Sequence, residues 1–190
     1  MIRNQKDGKP GDKDHIVILF TDIRGFTQFS DQAEPELVIN RLNQILDVQS
    51  NIVEKYNGDV DKFMGDAVMA QFINPLDAVK AGVEMVRVVE KLTEDWDYPL
   101  HIGVGLNYGE VVAGNIGSHN RKEFAVIGDT VNLASRLCSV APAKSVIISE
   151  SLYSILGNKL MVKPIKNQKI KGKADLITYY AIKKIRLSND

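Results

Sequence analysis

The sequence predicts an α/β fold of the α+β kind, with a ferredoxin-like βαββαβ core, a mostly antiparallel sheet, helices packed on it and extra C-terminal strands. The main observation is the order of patterns along the chain: a short apolar run, a long amphipathic segment, two apolar runs, a second long amphipathic segment, and further apolar runs. The second observation is the length of 190 residues, which suffices for one domain with a sizeable core and is short for two.

The first strand and the first long helix have clear local signals. Residues 15–22 form a β-branched apolar run that ends on an acid, which predicts a buried strand. Residues 24–27 are predicted to be a turn. A helix start is indicated by Asp31, by Glu34 three residues later and by Pro35. Apolar residues at helical spacing continue that helix to about Tyr56, where an Asn-Gly pair ends it.

A hairpin is predicted next, because residues 60–63 and 67–72 are apolar runs separated by a Gly-Asp pair, with Asp66 at the tip. A second amphipathic helix is predicted at residues 75–96, followed by a strand pair around an Asn-Tyr-Gly turn at residues 101–106 and 110–116. A shorter helix is predicted at residues 128–138, and three strands are predicted at residues 145–148, 160–171 and 177–182.

The composition is that of an ordinary globular protein, with 44% hydrophobic and 25% charged residues. We expect residues 1–14 to be a linker or the edge of a cut fragment, 15–185 to form the domain and 186–190 to be a tail. No apolar run is long enough to cross a bilayer, and no secretory leader is visible. The single cysteine, Cys138, excludes an internal disulfide and fits a reducing compartment, so we expect a cytoplasmic location without membrane contact.

The formal net charge is zero, which makes a general polyanion binder improbable. The lack of an aromatic and basic stripe likewise disfavours nucleic-acid binding. The charge is nevertheless unevenly distributed, since residues 159–186 carry nine Lys or Arg and one acid, whereas residues 1–158 carry 15 bases and 22 acids. The basic segment is either a solvated surface or half of an anion site.

Two acids lie where an apolar core would not place them. Asp22 ends the first strand and Asp66 is at the tip of the hairpin. If those strands are neighbours, the two carboxylates meet at one edge of the sheet, where they could bind Mg²⁺ together with substrate phosphates. The backbone N–H groups of residues 24–27, which include Gly25, Phe26 and Thr27, could contact phosphate oxygens. Capping of turns is an equally good explanation for acids at strand ends.

Asn132 and Arg136 are four residues apart on the predicted short helix and therefore share one face. An amide and a guanidinium projected together can position a sugar and stabilise phosphoryl charge. A solvated helix face is the alternative explanation.

Three other patterns do not support a functional site. Residues 109–114 have the glycine spacing of a P-loop, but Asn115 stands where the lysine is required. Gly103 and Gly105 lack a third glycine and a following helix, so they indicate close backbone packing. The three histidines are too scattered to suggest a zinc site.

Three motifs in this order resemble the class III nucleotidyl cyclase catalytic domain, in particular the bacterial type of adenylyl cyclase. They are FTDIRGFT at residues 20–27, DKFMGDAV at 61–68 and VIGDTVNLASRL at 126–137. Residues 170–173 and 178–179 resemble the C-terminal strands of that domain. The resemblance extends over residues 15–183.

The resemblance implies roles for individual residues, namely metal binding by Asp22, Asp66 and the Ile23 carbonyl, adenine reading by Lys62, ribose orientation by Asn132, transition-state stabilisation by Arg136 and binding of the terminal phosphates by Lys171. Guanylyl cyclases place an acid at the position of Lys62, so this residue favours ATP. The adenine-reading partner is usually Asp, Thr or Ser in adenylyl cyclases, but this chain has Ala125. A methyl group cannot hydrogen-bond the adenine amino group, so we expect looser discrimination between ATP and GTP.

The implied reaction converts ATP to 3′,5′-cyclic AMP and pyrophosphate with two divalent cations, Mg²⁺ or Mn²⁺. It implies a homodimer in which one subunit supplies the aspartates and the other supplies Lys62, Asn132, Arg136 and Lys171. An upstream regulatory domain, outside this chain, is expected, so the domain could be the cytoplasmic part of a larger sensor. The rival hypothesis is a catalytically weak or silent nucleotide-binding module. A diguanylate cyclase is disfavoured because its Gly-Gly-Asp/Glu-Glu-Phe segment is lacking.

Overall fold

The computed structural model describes residues 13–118, 122–169 and 176–186. Its strands are β1 (Lys13–Arg24), β2 (Asp59–Met64), β3 (Ala67–Phe72), β4 (His101–Gly117), β5 (Lys122–Ile127), β6 (Ser145–Ser149), β7 (Leu160–Gln168) and β8 (Ile177–Ile185). Its α-helices are α1 (Phe26–Gln32), α2 (Pro35–Lys55), α3 (Pro75–Thr93), α4 (Asp129–Val140) and α5 (Glu150–Leu156).

The strands form one sheet in the order β2-β3-β1-β4-β6-β8-β7, and β5 pairs with β4 outside this path. β3 lies between β1 and β2 and is antiparallel to both, which is the split βαβ arrangement of a ferredoxin-like core. Within the described strands, β4 and β6 are the parallel pair and the other pairs are antiparallel. The predicted fold class, including the extra C-terminal strands, is confirmed.

β1 is covered on both faces, which explains why its sequence is apolar without alternation. Val17 and Leu19 face the core that α2 and α3 cover, whereas Ile16 and Ile18 face a second core that includes residues of α4. Successive residues of a strand point to opposite faces, so a continuous apolar run is what a doubly covered strand needs.

The region before α2 differs from the prediction. Residues 24–27 were expected to form a turn, but only Gly25 turns the chain, with a φ of 75°, and α1 begins at Phe26. Asp31 lies within α1, and the long helix begins at Pro35 rather than near Asp31. Asp31 therefore belongs to the short helix α1, and only Glu34 and Pro35 mark the start of the long helix α2.

The predicted strand pair at residues 101–106 and 110–116 is wrong, because β4 is a single strand of 17 residues. The polar residues at its middle connect neighbouring elements instead of forming a turn. Asn107 is buried, its Nδ2 donates to the Thr130 carbonyl at 3.0 Å, and its Oδ1 accepts from Ser151 Oγ at 3.1 Å. β5 and α5 were not predicted at all.

Other predicted bounds needed smaller changes. The second long helix ends at Thr93, and β7 ends at Gln168 instead of residue 171. The glycines of residues 109–114 lie within β4, in agreement with the expectation of a strand and not a P-loop. No helix in the described ranges is both long and apolar enough to span a membrane.

α4 lies directly on β4 because two glycines leave room for it, as their spacing predicted. A Cβ at Gly105 would overlap the backbone of Cys138 in α4. A Cβ at Gly103 would be 2.9 Å from the Ala141 carbonyl oxygen, just beyond the end of the helix. The helix thus reaches the sheet backbone more closely than any side chain would allow.

We predict that Gly105→Ala lowers the free energy of unfolding by about 1–3 kcal/mol, because the methyl group forces α4 off the sheet. Gly114→Ala in the same strand is the matched control, since a Cβ there meets nothing within 4 Å. Urea unfolding of both variants measures the difference. Equal stability of the two variants would contradict the close-packing explanation.

Candidate active site

Asp22 and Asp66, the two acids predicted to lie at one edge of the sheet, are close together where β1 ends. β3 pairs with β1 through Thr21 and Val68, so the hairpin turn that carries Asp66 lies beside the last residues of β1. The backbone N–H of Ile23 donates to Asp66 Oδ2 at 3.2 Å. Asp22 and Asp66 therefore lie close together at one edge of the sheet, and the pairing of β1 with β3 brings them there.

Three effects act on the pKa of Asp22 at this corner. Partial burial raises the pKa of Asp22 above its ordinary value, the Arg24 guanidinium acts in the opposite direction, and the nearby Asp66 carboxylate raises it further. The Asp22 side chain is still 40% exposed. A bound cation would lower the repulsion between the two carboxylates.

Arg24 is a site residue that the sequence reasoning did not single out. Its Nη1 donates to Asp22 Oδ2, and its Nη2 donates to the backbone carbonyl of Cys138 in the last turn of α4. Gly103 makes room for it, because a Cβ there would lie 2.7 Å from Arg24 Nε. The sequence signal was slight: Arg24 is two residues after Asp22 in β1 and so shares its face.

The chain between the strand and α1 offers mainly backbone groups. The Ile23 side chain is buried, so its peptide atoms are what it can present to the corner. Gly25 adopts a left-handed conformation and precedes the first turn of α1, which contains Phe26 and Thr27. The first N–H groups of a helix have no acceptor inside the helix and are therefore available to an anion.

Asn132 and Arg136 share one face of α4, as their spacing predicted. The opposite face contains Ala134 and Cys138, which are buried against the sheet. Asn132 is exposed and Arg136 is half-buried. The amide and the guanidinium are thus on the side of α4 that faces away from its own sheet.

The remaining expected site residues are on other strands. Lys62 lies in β2, an edge strand of the sheet, and its Nζ forms an ion pair with Asp61 Oδ2 at 3.4 Å. Ala125 lies in β5, opposite Gly114 of β4, and is half-buried. Lys171 lies outside the described residues.

The donor set at the corner consists of oxygen atoms. Asp22 and Asp66 provide carboxylates and Ile23 a peptide carbonyl, which are ligands that hard divalent cations prefer. The described residues contain no group of three or more His, Cys, Asp or Glu side chains that could hold a metal ion. A cation here would complete its coordination with substrate phosphates or water, as Mg²⁺ commonly does.

Fold and site together define a class III nucleotidyl cyclase catalytic domain. The sequence model of the adenylate and guanylate cyclase catalytic domain matches residues 9–183, and the chain belongs to this family. Catalytic domains of this family bind nucleotides, depend on divalent metal ions and act as dimers.

Among similar sequences, an adenylate cyclase of Anabaena cylindrica is 31% identical over 186 residues, which cover 88% of this chain and 36% of that protein. The terminal-differentiation specific adenylate cyclase of Dictyostelium discoideum is 31% identical over 181 residues, 88% of this chain and 8% of that protein. This chain therefore spans a minor part of the length of these relatives.

The fold is similar to both kinds of cyclase. The adenylyl cyclase CyaB from P. aeruginosa has a TM-score of 0.87 and 33% identity, with 92% of this chain and 96% of that chain covered. The guanylyl cyclase Cya2 has a TM-score of 0.88 and 31% identity, with 96% of this chain and 98% of that chain covered. Overall similarity thus leaves the nucleotide to be inferred from individual residues.

Cys138 is buried next to this site, and we predict that it is unreactive in the folded protein. Burial raises the pKa of its thiol to about 12. At pH 8 the thiolate fraction is then about one in ten thousand, and the thiolate is the reactive form. Labelling with a thiol reagent should be slow in the native protein and complete in urea. Rapid stoichiometric labelling of the native protein would contradict the burial.

Proposed function

We propose that this chain is an adenylyl cyclase catalytic domain that converts ATP to 3′,5′-cyclic AMP and pyrophosphate. The observation that carries this proposal is the convergence of Asp22 and Asp66 at the end of β1, with Asp66 held by the Ile23 N–H. In a member of the cyclase family, such a carboxylate pair supports an active enzyme over a silent nucleotide-binding module.

We propose that Asp22, Asp66 and the Ile23 carbonyl hold two divalent cations, Mg²⁺ or Mn²⁺. The oxygen donors fit such ions. The Asp66 carboxylate raises the pKa of Asp22, and a cation between the two would relieve this repulsion. When bound, such ions lower the cost of forming the ribose 3′ oxyanion and neutralise phosphate charge.

The protein's own residues then orient and stabilise the reacting groups. Asn132 orients the ribose so that its 3′ oxygen, whose hydroxyl proton passes to solvent, attacks the α-phosphorus. The bond between the α-phosphorus and the oxygen that bridges to the β-phosphate breaks, and pyrophosphate leaves with that oxygen. Arg136 donates to the phosphoryl oxygens where negative charge increases in the transition state, and a fixed donor contributes most at that point. Lys171 binds the terminal phosphates. Backbone N–H groups of the segment that contains Gly25, Phe26 and Thr27 donate to phosphate oxygens.

We propose that ATP is selected mainly through Lys62. An ammonium group can donate to a ring nitrogen of adenine, whereas guanine presents an N–H at the corresponding ring position. Ala125 offers the adenine amino group no hydrogen bond, so selection against GTP is modest.

We further propose that the active form is a homodimer with two sites, each shared between subunits. Asn132 and Arg136 lie on the outward side of α4, away from the sheet that carries Asp22. This orientation supports a substrate position between two chains, and a twofold axis then repeats the site.

We also propose that the domain comprises residues 15–185, between a linker and a short tail, and functions in the cytoplasm as part of a larger regulated chain. The relatives that it matches are much longer than this chain, which supports the last part of this proposal, a larger chain.

Mixing two inactive variants tests the shared site. We predict that Asp22→Ala and Arg136→Ala each abolish cyclic AMP formation, because each defect is present in both sites of a homodimer. A 1:1 mixture should recover about a quarter of the wild-type activity, since half of the dimers are mixed and each has one intact site of two. Arg87→Ala, which removes an exposed arginine of α3, is the control and should remain active. A mixture that remains inactive would contradict sharing, and an active Arg136→Ala protein would contradict the role of that residue.

The nucleotide preference tests the base-reading assignment. We predict that wild-type kcat/KM is higher for ATP than for GTP, and that Ala125→Thr increases the ratio by about 2- to 10-fold, because one hydrogen bond contributes about 0.5–1.5 kcal/mol. Both constants are measured with Mg²⁺ and with Mn²⁺. A wild-type preference for GTP would overturn the adenylyl assignment.

A further inference from the structure

The strand that carries Lys62 has an irregularity next to this residue. In the β2–β3 ladder Val60 pairs with Ala70 and Lys62 pairs with Met69, so Asp61 is an extra residue of β2 between two consecutive ladder positions. This is a β-bulge, a feature that redirects side chains and is frequent beside active sites.

The bulge places two neighbouring side chains on the same face of the sheet. In a regular strand Asp61 and Lys62 would point to opposite faces. Here Asp61 Oδ1 accepts a hydrogen bond from Gln71 Nε2 at 2.8 Å. Gln71 is two residues from Met69 and shares its face, and Lys62 lies opposite Met69. Asp61 Oδ2 can therefore reach Lys62 Nζ at 3.4 Å, although the residues are adjacent.

The carboxylate in this group is deeply buried. The Asp61 side chain is 3% exposed and that of Lys62 is 30% exposed, and Gln71 is buried as well. A buried ion pair is a weak source of stability, because desolvation offsets the attraction, and an apolar pair of similar volume would serve a strand at least as well. Stability alone thus gives little reason for a carboxylate at this position.

We propose that Asp61 and Gln71 are positioning residues that hold the Lys62 ammonium where it reads the purine base, and so determine the selectivity between ATP and GTP. This inference rests on the proposed role of Lys62. A lysine side chain has a flexible four-carbon stem, and a fixed carboxylate restricts its ammonium to one region. The ammonium has three donors, so an ion pair with Asp61 is compatible with donation to a base. The Gln71 amide in turn fixes the orientation of the carboxylate.

Two variants test whether Asp61 and Gln71 position the Lys62 ammonium. Asp61→Asn retains an acceptor for Gln71 but removes the charge that faces Lys62, and Gln71→Met removes the amide donor while keeping a similar volume. We expect each to lower the ATP-to-GTP ratio of kcat/KM by about 3- to 10-fold, the effect of losing one well-placed hydrogen bond. The change should be in KM, with kcat for ATP within about twofold of the wild type, since Lys62 contacts the base and not the reacting phosphate.

Thr93→Val is the matched control for a lost buried hydrogen bond, since Thr93 is buried and its Oγ1 donates to the Leu100 carbonyl at 2.7 Å at the end of α3. This variant should lower the melting temperature without changing the nucleotide ratio. If Asp61→Asn and Gln71→Met behave in the same way as Thr93→Val, the inference is overturned and the group is merely structural.

A double-mutant cycle separates this inference from the proposed function. Lys62→Ala should lower the nucleotide ratio, and Asp61→Asn should have no further effect on the ratio in that background. An equal effect of Asp61→Asn with and without Lys62 would overturn the positioning role. If Lys62→Ala leaves the ratio unchanged, the base-reading role of Lys62 fails and the inference fails with it.

Competition binding of ATP and GTP to the same variants gives a measurement that does not depend on turnover. A shifted affinity ratio in a protein without cyclase activity would support the positioning role while contradicting the proposed function. Unchanged affinity ratios in both Asp61→Asn and Gln71→Met would overturn the positioning role.

Discussion

The contact between α4 and the backbone of β4 determines much of the arrangement around the candidate site. It is possible because Gly105 has no side chain, and a Cβ there would overlap the backbone of Cys138. Because α4 lies on the sheet, its residues Ala134 and Cys138 are buried between the helix and the sheet. The opposite face of α4, with Asn132 and Arg136, is directed outward. The same contact brings the last turn of α4 within reach of the Arg24 side chain. One missing methyl group therefore affects the core and the orientation of the functional face.

Arg24 connects the two parts of the site that lie within one chain. Its guanidinium contacts Asp22 at the end of β1 and the Cys138 carbonyl in α4. The helix C-terminus favours a cation, and so does the pair of carboxylates at the strand end, so a single positive charge serves both. The position of the acidic corner relative to α4 is consequently fixed by a side chain that has no assigned part in the chemistry.

The uneven charge of the sequence has two different explanations in the structure. Four of the bases in residues 159–186 are exposed on the strands β7 and β8, namely Lys163, Lys166, Lys183 and Lys184, which favours a solvated surface for them. On the acidic side, Asp22 and Asp66 form the corner described above, whereas Asp61 is buried with Gln71 and Lys62. Individual acids thus differ more in their roles than the net charge of a segment can indicate.

Patterns that extend over many neighbouring residues were sufficient to predict the ferredoxin-like core, both long helices, the hairpin with Asp66 at its tip and the shared face of Asn132 and Arg136. The motifs were sufficient to recognise the family. The continuity of β4 was not predictable, because Asn107 resembles a turn residue until its partners Thr130 and Ser151, 23 and 44 residues away, are known. The bridging role of Arg24 depends on a carbonyl 114 residues away, and the bulge at Asp61 depends on its register with β3. The local sequence thus determined the elements, and only the tertiary structure decided which polar groups meet, since hydrogen bonds between distant residues leave no periodic pattern.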